Sequence, residues 1–252
     1  MLFDTHCHLD LDPLRVQLPA VLERARTAGV ERFLVPGVKP EGWQRIKSLA
    51  AADVRIEAAF GVHPQLADLS TAASLEQLAG YARDAVAIGE IGLDYTPGSP
   101  PREVQQTAFR HQLRLAVDAG RPVIVHCRKA FADLLGIMKE EDVARVGGLM
   151  HAFSGSLEVA LECIRLGFYI SVCGTITYDN AVRPVKVVRE LPLDRLVLET
   201  DAPDIAPQPY RGQPNEPAFL VEIARRVAAI KGISLEELAA ATGENAVRGL
   251  RI

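Results

Sequence analysis

Four histidines and two acidic residues stand out because they interrupt or end apolar runs where buried strands are expected. His6 and His8 are two residues apart in FDTHCHLD, so a strand would point both side chains to the same side. The other four residues belong to four further runs: Glu90, His126, His151 and Asp201. Four imidazoles and two carboxylates are too many ligands for one tetrahedral zinc. They suit two divalent ions that share a bridging carboxylate, which is what the sequence predicts.

The elements that must position these residues repeat along the chain. Short apolar runs alternate with amphipathic stretches, and the runs begin about every 28 residues, close to the length of a βαβ unit. RFLVPGV and PVIVHC are apolar throughout, as strands buried on both faces should be. The predicted strands are Leu2–His8, Arg32–Val38, Ile56–His63, Val86–Asp94, Pro122–Arg128, Gly148–Ser154, Tyr169–Gly174 and Leu196–Asp201.

Amphipathic stretches between and after these runs predict the helices. They are Leu14–Ala28, Pro40–Ala51, Glu103–Ala119, Phe131–Lys139, Leu157–Leu166, Ala181–Glu190, Pro217–Ile230 and Ser234–Arg248. A single-domain TIM (β/α)8 barrel over residues 1–252 is therefore the predicted fold. A doubly wound open sheet is the alternative, but no GxGxxG follows the first strand. In a barrel, all six candidate ligands would meet at the carboxyl ends of the strands, where active sites form.

Composition limits the classes of function. The 252 residues include 28 Lys and Arg against 32 Asp and Glu, a net charge of −4, which argues against broad electrostatic wrapping of nucleic acid. The sequence contains no run of about 18 apolar residues that would predict a membrane span. The first residues have no basic region followed by an apolar run, so no signal peptide is expected. The four cysteines show no CxxC spacing and are expected to be unpaired, in a cytoplasmic setting.

Several segments together identify a family resemblance that covers nearly the whole chain. They include FDTHCHLD, GVHP at 61–64, IGEIGLDY at 88–95, PVIVHCR, HAFSG at 151–155, LETDAP at 198–203 and RGQPNEP at 211–217. This set resembles the TatD family of metal-dependent deoxyribonucleases and hydrolases, within the amidohydrolase superfamily. The resemblance implies a TIM-type barrel that holds two divalent ions, Zn, Mg or Mn, and hydrolyses phosphodiester bonds.

The resemblance also implies a role for each residue. His6, His8 and Asp201 would hold one metal, His126 and His151 the second, and Glu90 would bridge them, while His63 of GVHP would contact the substrate phosphate. The two metals would polarise the phosphoryl oxygen and lower the pKa of a bridging water. Asp201, beside that water, is expected to act as the general base.

Three further residues are candidates for binding the substrate. Arg128 lies two positions beyond His126, so alternation points it to the barrel mouth, where it would bind phosphate or form a loop salt bridge. Arg211 and Asn215, after the last strand, would line the same mouth or else anchor the loop. The sequence departs from the family pattern at Lys129, where an acidic residue is common, and at Asp204, where an aromatic one is common. Both departures bear on substrate choice and neither on metal binding.

The predicted function is a metal-dependent phosphodiesterase that trims single-stranded ends of DNA, acting as a monomer. One alternative is the same site used on an ester or amide, as in a D-aminoacyl-tRNA deacylase. Many relatives with that chemistry bridge their metals with a carboxylated lysine, and Val86–Asp94 contains none. A second alternative is a non-enzymatic metal-binding or scaffold protein, which the complete ligand set disfavours.

Overall fold

Eight parallel strands form one sheet in the order of the sequence in the computed structural model, which describes residues 1–252. The strands are β1 Leu2–Asp4, β2 Val30–Val35, β3 Ile56–Phe60, β4 Ala87–Asp94, β5 Val123–Arg128, β6 Gly148–Met150, β7 Phe168–Val172 and β8 Leu196–Leu198. Backbone N–H of Thr5 donates to the Leu198 carbonyl at 3.0 Å and that of Asp201 to the His6 carbonyl at 2.9 Å. These bonds join the two ends of the sheet into a barrel. The predicted TIM barrel is confirmed, and the open-sheet alternative is wrong.

Helices surround the sheet. They are α1 Leu18–Thr27, α2 Pro40–Ala52, α3 Ala72–Tyr81, α4 Arg102–Ala119, α5 Phe131–Glu140, α6 Leu157–Arg165, α7 Val182–Glu190, α8 Leu220–Lys231 and α9 Leu235–Leu250. The Ser234 side chain caps α9 by accepting from the Glu237 backbone N–H at 3.0 Å. None of these helices combines the length and apolar character that crossing a bilayer needs.

The apolar core has two parts. The larger part lies between the sheet and the surrounding helices. The smaller part fills the inside of the barrel and takes one residue from every strand: Phe3, Leu34, Ala59, Ala87, Ile124, Leu149, Tyr169 and Val197. Ala246 and Leu250 of α9 pack against this inner layer and close the barrel at the amino-terminal end of its strands. The interior is therefore packed below the mouth, as a TIM barrel requires.

Two features of the fold differ from the prediction. Helix α3 was not predicted, because only Ser74 and Leu78 of this alanine-rich segment are buried and the apolar stripe is correspondingly narrow. Strands β1, β6 and β8 end before the ligand residues that the predicted runs contained. After β1, for example, the chain continues outside the regular ladder, where the Cys7 backbone N–H donates to the Leu34 carbonyl at 3.0 Å.

Candidate metal centre

Glu90 lies at the centre of the polar cluster in the barrel mouth. Its Oε2 is 3.2 Å from Nε2 of His6, and its Oε1 is 2.9 Å from Nδ1 of His126. The same Oε1 lies 3.7 Å from Nε2 of His151. The two oxygens of one buried carboxylate therefore face different sets of imidazoles, which is the geometry expected of a carboxylate that bridges two cations.

Close approach of β4 and β5 brings Glu90 and His126 together. Every residue of β4 is buried, and Gly92 pairs with His126 in the sheet. Gly92 has a φ of +141°, and a Cβ there would lie 2.0 Å from the His126 carbonyl oxygen. Only glycine fits this position, because any side chain would push the two strands apart.

Asp201 completes one side of the cluster. Its Oδ1 lies 3.7 Å from Nε2 of His6 and 3.8 Å from Nε2 of both His8 and His151. Hydrogen bonds between the segments after β1 and β8 hold Asp201 in this place, including one from the His8 backbone N–H to the Ala202 carbonyl at 2.8 Å. The barrel thus brings all six predicted metal ligands together, although they come from five segments of the chain.

Two carboxylates behind the cluster were missed in the sequence analysis. Oδ2 of Asp94 lies 3.2 Å from Nε2 of His126, and Oε1 of Glu199 lies 3.0 Å from Nδ1 of His151. Each carboxylate faces the ring nitrogen of a histidine whose other nitrogen faces Glu90. Carboxylates in this position orient metal-binding histidines and raise their basicity. The sequence did contain a signal for Asp94 and Glu199, because both lie in largely apolar runs, IGEIGLD and RLVLET.

Burial keeps several of the imidazoles neutral. It lowers the pKa of His6 to about 4 and that of His63 to about 4, and it also lowers the pKa of His8. A neutral imidazole has a free lone pair on one ring nitrogen, and this is the form that binds a cation. At neutral pH these rings are therefore ready to act as ligands.

The charged members of the cluster respond to one another. Burial alone would raise the pKa of Glu90, but His151, His63 and His6 lower it well below its usual value. Burial lowers the pKa of His151, but the charges of Glu199, Glu90 and Asp201 outweigh it and raise this pKa to about 10. Burial also raises the pKa of Asp201 to about 8. A carboxyl group with a pKa near neutrality is well matched to accepting a proton.

The donor set fits divalent cations on two observations of this structure. Nε2 of His6 is fully buried and makes no hydrogen bond, although Oε2 of Glu90 is only 3.2 Å away. Ligand atoms also converge to within 4.8 Å of one another in three groups: His6, His8 and Glu90; His6, His151 and Glu199; and His63, Glu90 and His126. Imidazole with carboxylate is a ligand set that zinc and manganese accept, and none of the three groups contains a cysteine.

His63 lies closer to the cluster than a contact with substrate alone requires. Its Nε2 is 3.5 Å from Oε1 of Glu90, and its ring meets that of His126 edge-on at 4.6 Å. Its Nδ1 accepts a hydrogen bond from the Gln65 backbone N–H at 3.2 Å, which fixes the ring. The predicted contact between His63 and a substrate phosphate stays a prediction, and the geometry also allows His63 to bind a cation.

The other predicted substrate contacts occupy different places. Arg128 is exposed and borders the cleft beside His126 and His151. Arg211 is also exposed, and its guanidinium lies 4.7 Å from the centre of the Tyr178 ring, on the rim of the mouth. Asn215 is fully buried and donates to the carbonyls of Thr200 and Asp204. Its predicted substrate contact is therefore corrected to loop anchoring, because its amide is used inside the loop.

All four cysteines are free and buried, as predicted. Cys7 points its Sγ towards the Leu34 carbonyl, 3.8 Å away, and therefore away from its histidine neighbours. Cys127 and Cys173 border the cleft. Burial raises the pKa of Cys127 well above its usual value and that of Cys173 to about 12, so both remain neutral thiols at neutral pH.

A parallel barrel with a cluster of histidines and carboxylates in its mouth is the arrangement of a class of metal-dependent hydrolases. The family model described as TatD related DNase matches residues 3–251. The chain is 42% identical over 255 residues to the uncharacterized metal-dependent hydrolase YabD of Bacillus subtilis, with all of both chains covered. This chain belongs to the TatD family and is a metal-dependent hydrolase.

Solved structures agree with this assignment. The crystal structure of the TatD homologue YjjV from Escherichia coli has a TM-score of 0.95 and 37% identity, covering 100% of this chain and 98% of its own. A hydrolase of the TatD family from Entamoeba histolytica has a TM-score of 0.85 at 23% identity, covering 98% of this chain and 97% of its own. At that identity the second structure supports the fold alone.

Proposed function

We propose that this protein is a metal-dependent deoxyribonuclease that removes nucleotides from single-stranded ends of DNA and acts as a monomer. The observation that carries the proposal is the cleft above the metal cluster. It has a volume of about 450 Å³ and brings Arg128 beside His126, His151 and Asp201. An exposed guanidinium next to buried metal ligands suits a phosphodiester, whose anionic oxygens accept paired hydrogen bonds from arginine.

The size of the cleft favours a single strand. Its volume has room for a nucleotide but not for stacked base pairs, so a duplex end would have to separate before cleavage. Asp204 and Ile205 form one wall and Ser154 lies on another. Lys129 follows Arg128 and is exposed, so the departure from the family pattern puts two cations at this point of the rim. Arg128 and Lys129 both favour binding of a phosphate group.

The residues of the chain divide the chemistry between them. Two divalent ions, when bound, would supply Lewis acidity and make a water molecule more acidic. Glu90 would hold both ions by its two oxygens, and the histidines would fill the remaining positions. Asp201 would accept the proton that the attacking water loses as it bonds to phosphorus. Arg128 would neutralise the charge that develops on the phosphoryl oxygens while the ester oxygen leaves.

The test is hydrolysis by the metal-loaded protein of three substrates side by side. They are end-labelled single-stranded DNA, the matching duplex, and a D-aminoacyl-tRNA. We expect the single strand to be shortened from one end, the duplex to be cleaved more slowly, and a chelator to stop both reactions. Faster release of the amino acid from the tRNA than of nucleotides from DNA would contradict the proposal and favour the ester hydrolase.

A further inference from the structure

A second groove runs down the outside of the barrel from the mouth, with residues of α7 and α8 on its walls. Its volume is about 560 Å³, and Tyr178 stands at its upper end. The Tyr178 hydroxyl donates to the Ala206 carbonyl at 3.0 Å, and Ile205, the residue before Ala206, borders the catalytic cleft. The groove and the cleft are therefore neighbours that share one wall of the mouth.

This groove carries three positively charged side chains. Lys186 and Arg189 of α7 and Arg226 of α8 are exposed there, and none of them has a carboxylate oxygen within 4.0 Å. By contrast Arg225, the neighbour of Arg226 in the chain, pairs with Glu222 at 2.7 Å. In a chain of net charge −4, three unpaired cations in one groove make a local anion-binding surface.

The groove also contains two carboxylates, which its three cations outnumber. Asp179 precedes α7 and Glu190 is the last residue of that helix, so the two stand at opposite ends of the groove. Glu190 adjoins Arg189 in the chain, but neither carboxylate has an oxygen within 4.0 Å of a cation of the groove. Arg183 on α7 is also exposed and without an ion pair.

The surface between the cleft and the groove is suited to stacking of nucleic-acid bases. The Arg211 guanidinium lies over the Tyr178 ring at 4.7 Å, and Val182, which borders the groove, is 79% exposed. Bases stack on aromatic rings and guanidinium planes without regard to sequence, while lysine and arginine follow the phosphates. The stacking surface lies at Tyr178 and Arg211, and the cations follow it along α7 and α8.

We propose that this groove binds the part of a single DNA strand that lies beyond the scissile nucleotide. The strand would leave the cleft over Tyr178 and Arg211 and place its phosphates along Lys186, Arg189 and Arg226. This inference rests on the proposed deoxyribonuclease function and extends it, because it makes the enzyme prefer strands longer than the cleft itself can hold.

The test compares a dodecamer of deoxythymidylate with the dinucleotide, using the double variant Lys186→Ala with Arg226→Ala. We expect the ratio of kcat/KM for the dodecamer to that for the dinucleotide to fall at least about fivefold. Removal of two phosphate contacts should also reduce the salt dependence of dodecamer binding, by about 1.4 in the slope of log K against log salt. Binding is measured by fluorescence anisotropy in an Asp201→Asn background, in which cleavage is expected to be slow.

The control removes two exposed cations from the opposite end of the barrel, Arg83→Ala with Arg145→Ala. Net charge changes equally, so this variant should keep both the wild-type ratio and the wild-type salt slope. An equal loss in the two double variants, or an unchanged ratio in the groove variant, would overturn the groove proposal while leaving the deoxyribonuclease function intact. A wild-type protein that cleaves neither oligonucleotide would instead overturn the proposed function.

Discussion

The two ends of the barrel interior use the same strands in opposite ways. At the amino-terminal end each strand contributes one apolar residue, from Phe3 of β1 to Val197 of β8, and α9 packs beneath them. At the mouth several of the same chain segments contribute imidazoles and carboxylates, and some of these are as deeply buried, such as His6 at 0% exposure and Glu90 at 3%. The first end has only apolar surface to bury, while the second must satisfy charge.

This difference shows that the lower end of the barrel serves stability and the mouth serves function. Burial of apolar side chains stabilises the lower end through many weak and independent contacts. The mouth depends on specific partners, since the pKa of His151 rises to about 10 only because three carboxylates face it. Substitutions at the lower end should therefore change stability alone, and substitutions at the mouth should change several properties together.

Glu90→Ala should have the largest effect. The change removes the only carboxylate that faces His6 through one oxygen and His126 and His151 through the other. We expect hydrolysis to become undetectable and metal content to fall from about two ions per chain to less than one. Metal analysis after reconstitution measures this, with Asp84→Ala on the surface as the control. Two ions retained at wild-type affinity would show that Glu90 is not shared.

Asp201→Asn should mainly affect the rate. Asparagine keeps the size of the side chain and one oxygen, while His6, His8 and Glu90 would remain to hold an ion on that side. Loss of the proton acceptor should lower the hydrolysis rate at least about 100-fold at saturating metal, with a modest loss of metal at one site. Steady-state kinetics across a metal titration measure both. If saturating metal restores near-wild-type turnover, Asp201 is only a ligand.

Glu199→Gln should have an intermediate effect that tests the outer carboxylates. Glu199 lies 3.0 Å from Nδ1 of His151 and accepts from the Ala152 backbone N–H at 2.6 Å. Loss of its charge should weaken metal binding about 10- to 100-fold, because glutamine can still accept from the His151 ring but no longer raises its basicity. A competition assay with a chromophoric chelator gives the affinity. An affinity equal to that of the wild type would leave Glu199 with a purely structural role.

Asp4→Asn should change how stability depends on pH. Asp4 of β1 accepts hydrogen bonds on both of its oxygens from Thr200, which follows β8. Burial nevertheless raises the pKa of Asp4 to about 7. A carboxyl pKa that is higher in the folded chain contributes stability that is fully present below the unfolded pKa, near about 4, and is lost as pH rises through about 7.

In the wild type, the free energy of unfolding should therefore decline by up to about 1.4 kcal/mol per pH unit between pH about 4 and about 7, and the Asn variant should lack this decline. Urea unfolding at a series of pH values, with chelator present, measures the slope. Profiles of the wild type and the variant that run parallel would contradict the expectation. Asp118→Asn, on the outer surface of α4, is a control that also removes one carboxyl group.

Ile124→Val should have the smallest effect and should be confined to stability. Ile124 is fully buried in the inner layer at the lower end of the barrel. The loss of one methylene there should lower the free energy of unfolding by about 1 kcal/mol and leave metal content and turnover unchanged. Urea unfolding and metal analysis of one preparation test both statements. A parallel loss of metal would mean that the two ends are coupled through β5.

The sequence by itself determined the barrel and the ligand set. The repeat of apolar run and amphipathic stretch is a local pattern, and burial of both strand faces leaves few alternatives to a parallel sheet covered by helices. Histidines and carboxylates inside such runs are conspicuous for the same reason, so residue type and position were enough to name the six candidate ligands that the barrel brings together. Helix α3 escaped because its buried stripe consists of little more than Ser74 and Leu78.

Only the tertiary structure decided how these groups divide their roles. Residues far apart in the chain become neighbours when the barrel closes, so local periodicity cannot show that Asp94 and Glu199 stand behind His126 and His151. Nor can it show that Asn215 is used inside its loop while Arg211 lies over Tyr178 on the rim. Burial and the charges of distant segments set the pKa values of His6, His151 and Asp201, and both exist only once the chain has folded.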